Sequence, residues 1–409
     1  MTHYTDTTLP KYEQTMDFSI NQSTQEKLEV INQFLHEEVF PLESLLLMHQ
    51  WDDLFPALEL ARQKVKKIGL WAPHMLPSTG GTFSGLIELA LIGEALGQSP
   101  LGHFIFGCQA PDAGNSELLH LFGSKQQKEK WLTPLIAGEI RSCFAMTEPH
   151  TAGSNPTLLD STAVLKNGMW HINGRKWFTT AADGSAFTIA MVVTDTEAQK
   201  HRRASMIIVP TETEGYDMVR NISVMGSQGK GYFSHAEVTF DDCQVPEENL
   251  IGEVGSGFAL AQERLGPGRI QHCMRWLGIG ERCINISKQY LNQRKISSTQ
   301  VLAQQPLMQA QISESLADLA AARLLVLQTA FSIEQNGFEK SKNMVSLIKF
   351  HTANVVQRVV DRSLQSLGAL GMTDDTVISF FYREERAARI YDGADEVHKI
   401  VAAKQFLKS

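Results

Sequence analysis

The sequence predicts an α+β multidomain chain in which a helical region, a β region and a second helical region follow one another. Three observations carry this. Leu86, Ile87, Leu89, Ala90, Ile92 and Leu96 form a nearly all-round apolar stretch, the pattern of a deeply buried helix. Asn167-Gly168 stands between the β-prone runs Ala163–Lys166 and Met169–Ile172, a strong hairpin signal. Ile312, Leu316, Leu319, Val326, Leu327 and Ala330 fall on one stripe at helical spacing, which predicts core or a helix–helix interface. These changes of texture divide the chain into residues 1–139, 140–254 and 255–409.

Within the first region, Pro and Gly punctuate at Pro73–Gly81 and Ser99–Gly102. In the second, Asn173-Gly174 follows the first Asn-Gly and leads into Lys176-Trp177-Phe178-Thr179. Phe187–Val193, Ser205–Val209 and Ala236–Phe240 are further strand candidates, so consecutive hairpins are expected rather than βαβ units. After Gly257 the helical period returns. The order does not suggest a Rossmann sheet.

Composition excludes several function classes. With 409 residues, 43% hydrophobic and 20% charged, the chain has the make-up of an ordinary soluble globular protein with a large core. A net charge of -8 argues against a nucleic-acid groove. The first twenty residues contain no apolar leader segment, and no apolar run approaches the ~20 residues of a membrane span. Cys108, Cys143, Cys243, Cys273 and Cys283 are scattered and never in C-x-x-C spacing. They predict reduced thiols in a cytoplasmic protein, with neither a disulfide framework nor a metal site.

Two glycine clusters imitate nucleotide loops. Gly226-Ser-Gln-Gly229-Lys-Gly231 precedes a strand candidate, and Gly252-Glu-Val-Gly255-Ser-Gly257 has the wrong spacing. Neither sits in a βαβ unit, so both read as tight turns. Two other segments could carry chemistry. Phe144-Ala145-Met146-Thr147-Glu148-Pro149 ends a strand candidate in a turn followed by Gly153-Ser154, offering N–H groups and hydroxyls to a polar ring edge or phosphate. Trp177 with Thr179 adds an aromatic face beside a donor, suited to a flavin ring, though a buried Trp and ordinary turn hydroxyls fit as well. Near the end, Ile390-Tyr391-Asp392-Gly393-Ala394-Asp395-Glu396-Val397 places an acid, a flexible Gly and two more acids where a helix ends. This is either a proton-abstracting carboxylate or a solvated helix cap.

Taken in order, these segments resemble the acyl-CoA dehydrogenase family from about residue 25 onward. The resemblance rests on Met146-Thr147-Glu148-Pro149 with Gly153-Ser154, Trp177-x-Thr179, and Glu237-Val238-x-Phe240-Asp241-Asp242-x-x-Val245-Pro246. It continues through Gln365-x-x-Gly368-x-x-Gly371 and Tyr391-Asp392-Gly393. Gly266-Pro267-Gly268-Arg269-Ile270, Cys273-Met274-Arg275 and Asp395-Glu396-Val397-His398 resemble the branch that contains family members ten and eleven. The resemblance implies an α-helical N-terminal domain, an antiparallel β-barrel-like middle domain and a C-terminal four-helix bundle. It implies FAD, with Phe144, Met146 and Thr147 at the ring edge, Gly153 and Ser154 towards the pyrophosphate, and Trp177 and Thr179 against the ring. Arg294, Gln365 and Gly368 match residues that complete a neighbouring subunit's cofactor site, and Ala394 and Glu396 lie along the cofactor strip. A homodimer or homotetramer, an acyl-CoA substrate and an electron-transfer flavoprotein as electron acceptor are implied with them.

The reaction so implied removes an α-proton to a carboxylate and a β-hydride to flavin N5. The base of most family members is Glu; the matching residue here is Asp392, shorter by one methylene, or roughly 1.5 Å. The family's alternate base position aligns with Gly268, beside Arg269, so Asp392 is the family-positioned base that remains. Gly393 and Arg269 are candidate substrate contacts, and Arg269 and Arg275 read equally as ion-pair residues. His272 and Cys273 read as core packing, and Asp395 and Glu396 as helix N-terminal acids. Ser297-Ser298 replaces the usual Phe-Gly after Arg294, and Ala369 and Ala394 replace a common Gly and Thr. A flavin monooxygenase, a nitroalkane-oxidase-like enzyme or a non-catalytic scaffold on the same fold are the rival readings.

Overall fold

The computed structural model describes residues 20–408. Residues 1–19, read above for a leader, and residue 409 lie outside the described residues, as do the side chains of 264–267. The first helical region contains α1 (Gln22–Phe34), α2 (Trp51–Lys67), α3 (Leu86–Gly97), the short α4 (Gly102–Ile105) and α5 (Asp112–Phe122), with shorter turns between them. Every residue of α3 from Leu89 to Gly97 is buried, as its all-round apolar pattern predicts.

The middle region is one sheet built from β1 (Ser142–Ala145), β2 (Thr162–Lys166), β3 (Met169–Thr180) and β4 (Phe187–Val193). It is completed by β5 (Ala204–Pro210), β6 (Tyr216–Asn221), β7 (His235–Pro246) and β8 (Leu250–Ile251). Along the sheet the strand order is β6-β7-β3-β2-β4-β5-β8, with β1 beside β4. Asn167 and Gly168 both take positive φ, 52° and 78°, in the tight turn that joins β2 to β3. The second Asn-Gly makes no turn. Gly174 lies inside β3 at an irregularity in the β3–β7 register, at φ 149°, where a Cβ would collide with Ser161. The sheet is also mixed rather than purely antiparallel, because β1 runs parallel to β4. Chain order alone does not disclose that pairing, since β1 and β4 are separated by the whole β2–β3 hairpin. The glycine clusters are turns: Val224 bridges Ser227 across the first, and Gly255 N donates to Ser205 Oγ at 2.8 Å in the second.

The C-terminal region packs α6 (Gly257–Gln293), α7 (Pro306–Asn336) and α8 (Phe338–Leu367) with α9 (Val377–Glu385) and α10 (Asp395–Lys408). By length and composition α7 is apolar enough to cross a membrane, although it holds no uninterrupted apolar run of that length. Asp318 and Arg323 interrupt its apolar run and tie it into the bundle: Asp318 pairs with Arg358 and Arg362 of α8 at 2.9 Å, and Arg323 with Glu94 of α3 at 2.8 Å. Its stripe is only partly core. Val326 and Ala330 are fully buried, whereas Leu316 is exposed, together with Leu307 and Leu324 of the same helix. All five cysteines are buried free thiols. Three apolar cores result: one under the first region and the adjoining sheet face, one inside the sheet, and one in the bundle.

Candidate active site

The acid of Tyr391-Asp392-Gly393 sits on a left-handed turn between α9 and α10. Asp392 has φ 52° and Gly393 φ 95°. A non-glycine residue at positive φ costs about 1–3 kcal/mol and persists only where its surroundings enforce it. Here three helices do so. The Asp392 carbonyl accepts from Arg269 Nε of α6 at 3.3 Å and from His398 Nε2 of α10 at 3.0 Å. Lys349 of α8, fully buried, donates to the Ala388 and Gly393 carbonyls at 2.8 and 2.6 Å. Burial pushes the Lys349 ammonium down to about 8 and the His398 imidazole down to about 4. His398 is therefore a neutral donor near neutral pH. Gly393 is required twice over, by its φ and because a Cβ there would meet His398 Nε2 at 2.6 Å.

The turn also presents its carboxylate to α6. Asp392 Oδ2 is 2.9 Å from His272 Nε2. This corrects the sequence reading of His272 as core packing: the pair joins two segments far apart in the chain, which a linear pattern does not connect. Cys273 does face the core, fully buried, and burial pushes its thiol up to about 12. Arg269, His272 and Arg275 stand at three-residue intervals on α6 and all reach towards the segment 385–392. Arg275 forms a two-pronged pair with Glu385 at 2.6 and 3.1 Å and donates to Tyr391 Oη at 2.7 Å; Trp276 Nε1 donates to Glu385 at 2.9 Å. Burial opposes the Arg275 charge, but Glu385 and Tyr391 outweigh it and hold the guanidinium protonated. Asp395 begins α10 and is buried against Arg389 at 2.8 Å and Asn354 at 2.7 Å, while Glu396 beside it is exposed. At Gly268, the residue aligned with the alternate base position, an added Cβ would meet none of the described atoms within 4 Å.

The second half of the site lies where β1 runs out at Met146-Thr147 and β3 bulges at Trp177-Phe178. Trp177 N donates to Thr147 O at 3.0 Å, joining the two segments. Beneath them is a pair that sequence reasoning missed. Fully buried Lys176 donates to the Met146 and Met191 carbonyls at 3.0 and 2.7 Å and to Glu148 Oε1 at 2.7 Å. Glu148 in turn accepts from the amides of Asp160 and Ser161 at 2.6 and 2.9 Å. Phe178 at φ 50° marks the bulge, after which Thr179 points inward. Two buried polar atoms here, Trp177 Nε1 and Thr179 Oγ1, have no hydrogen-bond partner. Orphaned buried donors are costly, so such a pair signals a group that the chain itself does not supply. The residues present fit a flavin ring edge.

A bridge connects the halves. His235 of β7 contacts Thr180 Oγ1 at 2.9 Å and lies 3.8 Å from Glu384 of α9, next to the Glu385 that holds Arg275. The other predicted cofactor residues are more dispersed. Phe144 is half-buried on β1, Gly153 approaches the Thr147 methyl, and Ser154 is exposed. Arg294 is exposed at the end of α6, Gln365 and Gly368 are exposed at the end of α8, and Ala394 is half-buried ahead of α10. Among the described residues no cluster of three or more His, Cys, Asp or Glu is placed to hold a metal.

Comparison with known proteins bears on all three regions. Residues 21–139, 143–243 and 255–407 match the N-terminal, middle and C-terminal domains of acyl-CoA dehydrogenase. The protein named probable acyl-CoA dehydrogenase FadE2 of Mycobacterium tuberculosis is 37% identical over 397 residues, covering 94% of this chain and 95% of that protein. Human acyl-CoA dehydrogenase family member 11 is 34% identical over 415 residues, covering 98% of this chain but 53% of that longer protein. The mouse family member 10 is 36% identical, covering 93% of this chain and 36% of its own length. A solved structure of a candidate acyl-CoA dehydrogenase from Mycobacterium abscessus overlays with a TM-score of 0.91 at 33% identity, covering 96% of this chain and 99% of that one. The chain belongs to the acyl-CoA dehydrogenase family of flavoprotein oxidoreductases.

Proposed function

We propose that this family enzyme oxidises an acyl-CoA thioester across its α,β C–C bond, with Asp392 as the base that removes the α-proton. The observation that carries the reading is the left-handed Asp392-Gly393 turn, clamped by α6, α8 and α10 so that a carboxylate is held where a partly buried site meets solvent. Bound FAD would supply the acceptor for the β-hydride. Met146, Thr147, Trp177 and Thr179 would hold its ring edge, and Trp177 Nε1 and Thr179 Oγ1 would gain the partners they lack. Phe144, Gly153, Ser154, Ala394 and Glu396 would extend that contact, and Arg294, Gln365 and Gly368 would serve a neighbouring subunit.

The chain's own work is proton transfer and positioning. Asp392 takes the proton, the electron pair of the C–H bond passes into the thioester, and hydrogen bonds to the thioester oxygen stabilise it there. Gly393 and Arg269 border the reacting end. A homodimer or homotetramer is consistent with the exposed Leu307, Leu316 and Leu324 of α7. A cytoplasmic location fits the buried, reduced cysteines. An electron-transfer flavoprotein is the proposed acceptor. The test is anaerobic bleaching of the bound flavin by short-, medium- and long-chain acyl-CoAs. At least one should bleach the native protein, and Asp392→Asn should lose on the order of a thousandfold in rate. Equal rates in the two would remove Asp392 from the mechanism; a flavin that resists every acyl-CoA and reacts only with oxygen and an added reductant would favour a monooxygenase.

A further inference from the structure

We infer that His272 is a positioning residue for Asp392, and that the two act as a hydrogen-bonded dyad in which the imidazole holds and orients the short carboxylate while it accepts the α-proton. The inference rests on the proposed dehydrogenation and deepens it. Asp392 sits one methylene short of the Glu usual at this position, so its carboxylate starts closer to the backbone and has a different set of neighbours within reach. His272 Nε2 is 2.9 Å from Asp392 Oδ2, and the ionised carboxylate is acceptor-only, so Nε2 carries the proton of this bond.

The imidazole is itself confined. It lies near-parallel to Trp276, with centroids 6.1 Å apart, and against Tyr391 at 5.3 Å. Tyr391 is fixed in turn by Arg275 and Trp276 at 2.7 and 3.0 Å. His272 therefore belongs to the same framework that holds the 385–392 segment. A carboxylate on a left-handed turn has its backbone fixed by Arg269, His398 and Lys349; His272 supplies a fixed point for the side chain.

In the step itself the α C–H bond breaks and an O–H bond forms on Asp392. The electron pair stays with the thioester, and His272 keeps its Nε2–H throughout. The charged and titratable groups around the dyad include Arg269, Cys273 and Arg275 on α6, His103 on α4, Glu385 and Tyr391 ahead of the turn, Lys349 on α8 and His398 on α10. Burial pushes His103 and His398 down to about 3 and about 4, and Lys349 down only to about 8.

The experiment uses the FAD-loaded full chain and the acyl-CoA that bleaches native flavin fastest. Single-turnover reduction is measured from about pH 5 to 9, and α-proton exchange of the same acyl-CoA into D₂O is followed by NMR. His272→Ala should slow both on the order of a hundredfold, the loss expected when a reacting group strays by about 1 Å. His272→Gln, which retains an N–H donor near the position of Nε2, should stay within about tenfold of native. Rescue by the amide donor, absent in His272→Ala, separates a positioning role from simple packing. Native rates in His272→Ala would overturn the dyad while leaving Asp392 as base. Native rates in Asp392→Asn would instead overturn the parent reading. Should His272→Ala fail to fold by thermal melting, His272→Gln is compared with His272→Leu, which keeps bulk without the donor: equal rates in the two overturn the inference.

Discussion

Gly393→Ala tests how closely the catalytic turn is fitted. The added Cβ would stand 2.6 Å from His398 Nε2 while ordinary contact begins at 3.4 Å, so ring and turn must separate by 3.4 − 2.6 = 0.8 Å. That movement breaks the 3.0 Å bond from His398 to the Asp392 carbonyl, a loss of about 1 kcal/mol. Alanine at the φ of 95° adds about 1–3 kcal/mol of backbone strain. Together these give about 2–4 kcal/mol, either as lost stability or as relaxation of the turn. If the turn relaxes, the Asp392 carboxylate moves by nearly the displacement that costs about a hundredfold in rate. Stopped-flow flavin reduction under anaerobic conditions reads that rate, with Tm and the FAD-to-protein ratio measured on the same sample. The expected outcome is reduction slower by tens- to a hundredfold with FAD still bound. A variant with native reduction rate, full FAD and unchanged Tm would refute the claim that the turn geometry sets the reactivity of Asp392.

Two further outcomes are expected. Thr179→Val removes a buried hydroxyl without a partner in the chain, so it should raise the Tm of the flavin-free protein while weakening FAD binding by about tenfold, read by flavin fluorescence titration. An unchanged FAD affinity would place the flavin elsewhere. Burial pushes Glu43 and Glu94 up to about 7, above their unfolded value of 4.5, so the folded chain holds more protons between those values. Stability from these groups is therefore complete below about pH 4.5 and is lost as pH rises towards about 7, with a limiting slope of about 1.4 kcal/mol per pH unit for each. Denaturant titrations across that range should show the slope, and Glu43→Gln with Glu94→Gln should flatten it.

The sequence made visible what is local. The Asn167-Gly168 turn, the strand at Phe187–Val193 and the buried helix from Leu89 follow from short-range rules, and the structure has all three. Asn173-Gly174 makes no turn, because the same dipeptide also suits a bulge when another backbone passes close by, here at Ser161. The acid at Asp392 was legible from its motif, but its partner was not. His272 looks like any histidine among apolar residues until the fold brings α6 against the turn. Lys176 and Glu148 are equally opaque in one dimension: a lysine inside a strand ordinarily points to water, whereas this one falls in phase with the buried Trp170 and Ile172 and meets Glu148. The orphaned Trp177 and Thr179 atoms are a property of packing and have no sequence signature.

The buried cysteines have a practical consequence. A thiol reacts as its thiolate, and burial pushes Cys243, Cys273 and Cys283 up to about 12, leaving a thiolate fraction on the order of one in a hundred thousand near neutral pH. Cys108 and Cys143 are raised by burial as well. To an alkylating dye the folded protein is thus close to a blank surface. A single cysteine introduced at an exposed position on α10 or at the tip of the β2–β3 hairpin would take up label almost alone, with no native thiol removed first. Conversely, labelling of the unmodified chain would report unfolding directly, because each thiol becomes reactive only when the core around it opens.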